Sequence, residues 1–144
     1  MARTRLETRA RARALQALYA WDVRGAGSQG NAALPRVAEQ VWDDLALARP
    51  LRDRAMALVR AVAADERAID ADLKDVTTNW RLDRLGAVER SILRLGAAEL
   101  RLGETPPKVV MQEGVRLAER FAGEDSARFV NGVLDALARR LGKL

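Results

Sequence analysis

The chain is predicted to be all-α, with about seven helices in two packed helical lobes. Three observations carry this. Alanine, leucine, arginine and valine dominate, while aromatics make up only 4% of residues, a helix-forming composition. Apolar residues recur at helical spacing in every long segment. No stretch alternates apolar and polar residues between turn signals, as a strand would. The 144 residues, 49% of them apolar, are enough for one domain with a buried core. That domain is expected to cover 1–144, with an N-terminal lobe about 1–78 and a C-terminal lobe about 79–144. The break falls near Thr77 to Asp83.

The first helix is expected from about Thr4 to Val23. Gly25, Gly27, Ser28 and Gly30 end it in a loop. The second covers about Leu34 to Ala48, with Pro35 in its first turn and Val37, Val41 and Leu45 as its stripe. Pro50 opens the third, whose stripe runs Leu51, Ala55, Leu58, Val62, Ile69, Leu73, Val76. Asp65 interrupts that stripe, and a kink is expected there. A short turn at Leu82 to Leu85 leads into a helix from Ala87 to Leu102 with a seam at Leu85, Val88, Ile92 and Leu95. Thr105 is placed to cap the next helix, with Pro106 at its first position and Gly123 as its C′ residue. The last helix starts near Asp125-Ser126. It buries Phe129, Val133 and Leu137 on one row and Val130, Leu134 and Leu141 on the adjacent one.

Charge is concentrated at the N-terminus. The chain carries +5 overall, and Arg3, Arg5, Arg9, Arg11 and Arg13 stand there against the single acid Glu7. At 100° per residue, Arg5, Arg9, Arg13 and Gln16 share one side of the helix. Ala14, Leu18 and Trp21 lie opposite, and Arg11 falls on the side of Leu18. The row is either a solvated face or a phosphate-binding arm, since guanidinium forks bidentately onto phosphate. For Arg11 the choice is between RNA contact from a groove edge and an ion pair with a carboxylate of the second lobe. A pI near 10.6 makes nucleic acid the first candidate partner and an anionic membrane surface the second.

Several classes of chemistry are excluded. There is no cysteine, hence no disulfide framework and no thiolate metal site. There is no histidine, which removes the commonest general base and metal ligand. No GxxxxGK[ST] or GxSxG occurs, and no phosphate-cradling loop is expected. Glu113 and Glu119 read as surface or salt-bridge groups. The chain is therefore expected not to be an enzyme and to need no cofactor or metal. No apolar run approaches the ~20 residues of a membrane span, and no signal peptide is evident, so a cytoplasmic location is expected.

Three residues have more than one reading. Asn131, between Val130 and Val133, reads first as a core or interface amide. Gly132 beside it, at a cost of ~1 kcal/mol in a helix interior, points to close approach of another helix or a partner. Phe129 and Tyr19 are either core residues or platforms for base stacking.

Together these residues resemble the family of the bacterial transcription antitermination factor NusB. Arg9-Ala10-Arg11, then Gln16-Ala17-Leu18-Tyr19 and Trp21, look like its opening helix. Leu85-Gly86, Val88-Glu89-Arg90, Ile92-Leu93-Arg94 and Glu99-Leu100 look like its central helix. Pro107-Lys108-Val109, Glu113 and Leu117-Ala118 look like the penultimate one. Glu124-Asp125-Ser126 followed by Phe129-Val130-Asn131-Gly132-Val133-Leu134-Asp135 is the most specific piece. Gln112, Gly114 and the Glu7-Thr8 break in the basic run depart from the pattern.

The resemblance implies a NusB-like helical fold without catalysis. It implies binding of single-stranded boxA RNA of ribosomal and antiterminated transcripts together with NusE, a small-subunit ribosomal protein. The complex would join RNA polymerase through other Nus factors, and some members form homodimers. The RNA face would use Arg9, Arg11, Arg13, Tyr19, Asp125 and Phe129, and the NusE face would include Glu89. Asp125 reads alternatively as a cap of its own helix. Two other readings stand beside this one. A similar module precedes the catalytic domain of certain ribosomal RNA methyltransferases, which here would need a separate enzyme chain. A helical DNA-binding regulator is the other.

Overall fold

The computed structural model describes residues 2–25, 33–77 and 84–144. Gly27, Ser28 and Gly30 of the expected loop, and most of the expected interlobe break, lie outside the described residues. So does the first half of the Leu82–Leu85 turn. Seven α-helices occur among the described residues: α1 Ala2–Val23, α2 Ala33–Trp42, α3 Arg49–Ala64, α4 Glu66–Val76, α5 Ala87–Leu102, α6 Pro107–Phe121 and α7 Glu124–Arg140. No strand accompanies them there, and the all-α expectation holds.

Gly25, Gly27 and Gly30 stand in the G-x-G-x-x-G spacing of a dinucleotide-binding loop. Here the pattern follows α1 rather than a strand, so the βαβ context that gives it meaning is missing.

Helix boundaries differ from expectation where local geometry overrides the apolar stripe. The second helix stops at Trp42 and passes through a 3-10 turn at Asp43–Leu45. Ala46 then adopts a left-handed conformation, φ 47°, which ends the helix well before Ala48. The expected kink at Asp65 is a full break: φ −123°, ψ 25° separates α3 from α4. Thr105 does not cap α6. Pro106 takes that position with ψ 139°, and Pro107 supplies the fixed φ of the first turn. Gly123, φ 111°, receives the chain from α6 and starts α7. Its amide donates to the Ala118 carbonyl at 2.8 Å, so it is the C′ glycine expected. Asp125 falls inside the first turn of α7, and no side-chain cap bond forms there.

α5 is the centre of the molecule. It packs against α1, α3, α4, α6 and α7. A one-sided seam was expected, but every residue from Ser91 to Leu100 is buried, because neighbours cover it all round. α1 packs against α2, α3 and α5. α4 lies against α5 and α7, so the Asp65 break carries the chain from one group of helices to the other. One apolar cluster joins both groups.

Gly96 and Gly114 mark close helix approaches. A Cβ at Gly96 would lie 2.7 Å from Leu134 Cδ2, and one at Gly114 2.7 Å from Leu134 Cδ1. Leu134 is thus wedged between α5 and α6 and is fully buried. Gly132, by contrast, has open space around it, and Asn131 is exposed. Asn131 is therefore not a core amide, and no other helix approaches Gly132 among the described residues. Both face away from the α7 stripe of Val130, Val133, Leu134 and Leu137. Gly114→Ala is expected to cost about 1–3 kcal/mol through overpacking, read as a lowered urea midpoint. Shortening the neighbour with Leu134→Val in the same chain should recover part of that loss.

A charged network ties α1 to α4 and α5. Asp22 accepts from Arg90 Nη2 at 2.7 Å and Arg94 Nη1 at 2.7 Å. Arg94 also donates to Asp70 at 3.0 Å, and its guanidinium stacks over the Trp21 ring 5.3 Å from the centroid. Burial opposes charge on Asp22, but Arg90 and Arg94 more than offset it and hold its carboxyl below its ordinary value. The stability this gives is present above the ordinary value and is lost as pH falls through the lowered one.

Glu66 is the opposite case. Burial first, and then the charge of Asp70, push it above its ordinary 4.5. Its charged form therefore costs stability at neutral pH, and that cost fades as pH falls from the raised value toward 4.5. Glu66→Gln is expected to raise the melting temperature at pH 7 and to lose that advantage in mild acid. An equal difference at both pH values would contradict the assignment.

Candidate nucleic-acid interface

The exposed side of α1 forms one wall of a groove of about 530 Å³. Thr8, Arg9, Ala12, Arg13, Leu15, Gln16 and Tyr19 line it from α1, Val88 from α5, and Arg120 and Phe121 from the end of α6. The periodicity of α1 explains the wall. Ala10, Ala14, Ala17, Leu18 and Trp21 are fully buried against the other helices, which turns Arg9, Arg13 and Gln16 outward. Trp42 locks this part of α1 in place by donating its indole N–H to the Arg13 carbonyl at 3.2 Å.

The groove combines cations and aromatic faces. Arg9 is exposed and Arg13 partly so, and among the described residues neither has a carboxylate partner. Arg13 donates only to Gln16, at 3.2 Å. Tyr19 is 44% exposed and Phe121 46%. Those values stand out in a protein whose Trp21 and Trp42 are both buried. The Arg120 guanidinium lies 4.8 Å from the Phe121 centroid, within cation–π range. This arrangement can hold an anionic chain bearing flat aromatic rings.

Three of the expected RNA residues, Arg9, Arg13 and Tyr19, come together here. Arg11 departs from that set. It is 3% exposed, and its Nε and Nη2 each donate to Glu99 at 2.9 Å. Its Nη1 lies 3.5 Å from Glu113, which also accepts from the Thr8 hydroxyl at 2.7 Å. Of the two roles open to Arg11, the structure has the ion pair, with carboxylates of α5 and α6. The reason is angular: two residues beyond Arg9, it points into the interface with α5 and α6 rather than to solvent.

Asp125 and Phe129 lie on the first turns of α7 and do not line this groove. Asp125 is exposed and pairs with Arg128, and Phe129 is half-buried against the core. Glu89 is partly accessible, beside the groove residue Val88. Its carboxylate folds back over Gly86, 2.7 Å from where a Cβ there would stand.

Arg120 and Phe121 were not expected in the site. Phe121 follows Leu117 and Ala118 on the buried stripe of α6 and so reads as core. It is the last residue of the helix, and α7 does not cover it.

This is an all-helical protein with a basic, aromatic-bearing groove, and no helix among the described residues is long and apolar enough to cross a membrane. Comparison with known proteins specifies it further. The model of the NusB family matches residues 8–139, and the chain belongs to that family. It is 42% identical over 139 residues to the transcription antitermination protein NusB of Anaeromyxobacter dehalogenans, covering 96% of this chain and 94% of the relative. Its fold superposes on a chain from the crystal structure of antitermination factors NusB and NusE in complex with double-stranded RNA. There the TM-score is 0.82 at 32% identity, covering 94% of this chain and 98% of that one. T. maritima NusB matches with a TM-score of 0.81 at 28% identity, covering 92% and 90%.

Proposed function

We propose that this protein is an RNA-binding transcription antitermination factor. It binds boxA-type single-stranded RNA together with NusE and promotes antitermination, including at ribosomal RNA operons. The observation that carries the reading is the α1 groove, where Arg9, Arg13 and Arg120 surround the exposed rings of Tyr19 and Phe121. Single-stranded RNA is held by phosphate contacts together with stacking and edge hydrogen bonds. The arginines supply the first, the two rings the second, and Gln16 the third. Asp125 and Phe129 extend the RNA face onto the start of α7, where helix amides and the positive dipole end favour phosphate. Arg11 acts indirectly, by fixing the angle of α1 against α5 and α6.

Its role is binding rather than catalysis, in the cytoplasm, with RNA polymerase reached through other Nus factors. Membership of a family whose named relatives are antitermination proteins, and a fold shared with a NusB–NusE–RNA assembly, support it. Titration of labelled boxA RNA, with and without NusE, tests it against duplex DNA of equal charge. Preference for the duplex would favour the regulator reading.

The NusE face is proposed to include Glu89, accessible on the first turn of α5. Glu89→Lys is expected to weaken NusE binding at least tenfold, since like or unpaired charge at an interface costs over 1 kcal/mol. Helix content should not change. Calorimetry giving the wild-type affinity would make Glu89 a surface charge only.

A further inference from the structure

We propose that the RNA strand held in the α1 groove continues past Arg120 into a second groove along the outer face of α6, which reads nucleotides flanking the core segment. This rests on the RNA-binding reading above.

The second groove has a volume of about 690 Å³. Lys108, Gln112, Arg116 and Arg120 line it at four-residue steps, with Glu119 on the same helix and Asn131 across from it on α7. A four-residue step returns to the same helix face, so three cations and an amide form one row. At 1.5 Å per residue the row is about 18 Å long, room for several nucleotides rather than one.

Four observations point to nucleic acid as the occupant. Arg120 lines both grooves, so the basic track is continuous. Among the described residues, Lys108 and Arg116 have no carboxylate partner, although most arginines that face another helix do. Their charge is uncompensated, and Glu119 is the groove's one acid. Gln112 and Asn131 each offer a donor and an acceptor, as base edges require. Finally, Gly132 beside Asn131 is exposed, with nothing within 4 Å of a Cβ position. A glycine inside a helix costs ~1 kcal/mol, and no packing among the described residues accounts for it. It leaves backbone open to close approach beside the amide. The floor, Met111 and Val115, carries no aromatic ring, so this groove grips phosphates and edges without stacking.

The test uses the full chain, two RNAs and one double variant. The short RNA is the boxA segment alone, and the long one adds a few native-like nucleotides at either end. We expect the long RNA to bind on the order of a hundredfold more tightly, the gain from two charge-assisted contacts. Lys108→Ala with Arg116→Ala should abolish that gain and lower the salt slope on the long RNA by about 1.4, or about 0.7 per phosphate contact. Binding of the short RNA should be unchanged. All these positions are at the surface, and a circular dichroism spectrum matching wild type checks the fold.

Equal affinity of wild type for both lengths would overturn the extension and leave the α1 site standing. Equal losses on both RNAs in the double variant would overturn it too, since the groove would then serve the core segment. If the variant binds both RNAs normally but binds NusE more weakly, the groove belongs to a protein partner and the proposal falls. If neither RNA binds wild type, the RNA reading itself fails and takes this one with it.

Discussion

Arg11→Ala is expected to lower the melting temperature by roughly 10–15 °C, the largest stability effect anticipated from any single change in this chain. Removing one member of a buried ion pair costs about 3–5 kcal/mol, because the carboxylates left behind stay desolvated without a counter-charge. In a domain of this size each kcal/mol moves the midpoint by about 2–4 °C or slightly more. Two carboxylates are stranded here. Glu99 is 4% exposed and loses both of its 2.9 Å bonds. Glu113 already has one buried oxygen with no partner and would keep only Thr8.

The cost should come from stranded charge more than from lost attraction. Arg11→Met combined with Glu99→Met, which removes both ends of the main pair and keeps the volume, should therefore be markedly more stable than Arg11→Ala. RNA bound below the new midpoint should show an unchanged salt slope, because the guanidinium is turned away from the groove. A melting temperature within a degree or two of wild type, with a slope lowered by about 0.7, would place Arg11 on the RNA after all.

That case shows how far sequence reaches. The burial of Arg11 was legible from helix geometry alone, because its angle matches Leu18. Its partners were not, since Glu99 and Glu113 are about ninety to a hundred residues away and nothing local selects them. The same divide recurs elsewhere. The stripe of α3 and α4 was read correctly, yet the Asp65 break needed a backbone angle that several helix-compatible residues around it do not announce. Phe121 continues the apolar stripe of α6 yet is exposed, because the helical period cannot tell where the covering helix stops. Asn131 and Gly132 looked like a helix contact because a glycine in an apolar run usually is one. The real contacts are Gly96 and Gly114, each meeting Leu134, and neither is marked by local pattern. Periodicity shows which face of a helix turns inward. It does not say which neighbour arrives or how far along it reaches, and the groove is built at such ends.

The largest functional effect is expected from Arg9→Ala combined with Arg13→Ala. Affinity for single-stranded boxA RNA should fall on the order of a hundredfold, about 1.4 kcal/mol for each charge-assisted contact. The slope of log affinity against log salt should decrease by about 1.4 in magnitude, or about 0.7 for each phosphate released. Stability should hardly change. Arg9 has no carboxylate partner among the described residues, and the Arg13–Gln16 bond is exposed. The contact that anchors α1 at this point uses the Arg13 carbonyl, which alanine keeps. Tyr19→Ala separates the two kinds of contact. Losing a stacking platform costs about 1–3 kcal/mol per base but releases no counterion, so affinity should drop roughly tenfold or more with the slope intact. The pattern of slope and affinity thus assigns each side chain to phosphate or base. If the double arginine variant bound with wild-type affinity and slope, the row on α1 would be a solvated face, and Tyr19 and Phe121 would be exposed for some other partner.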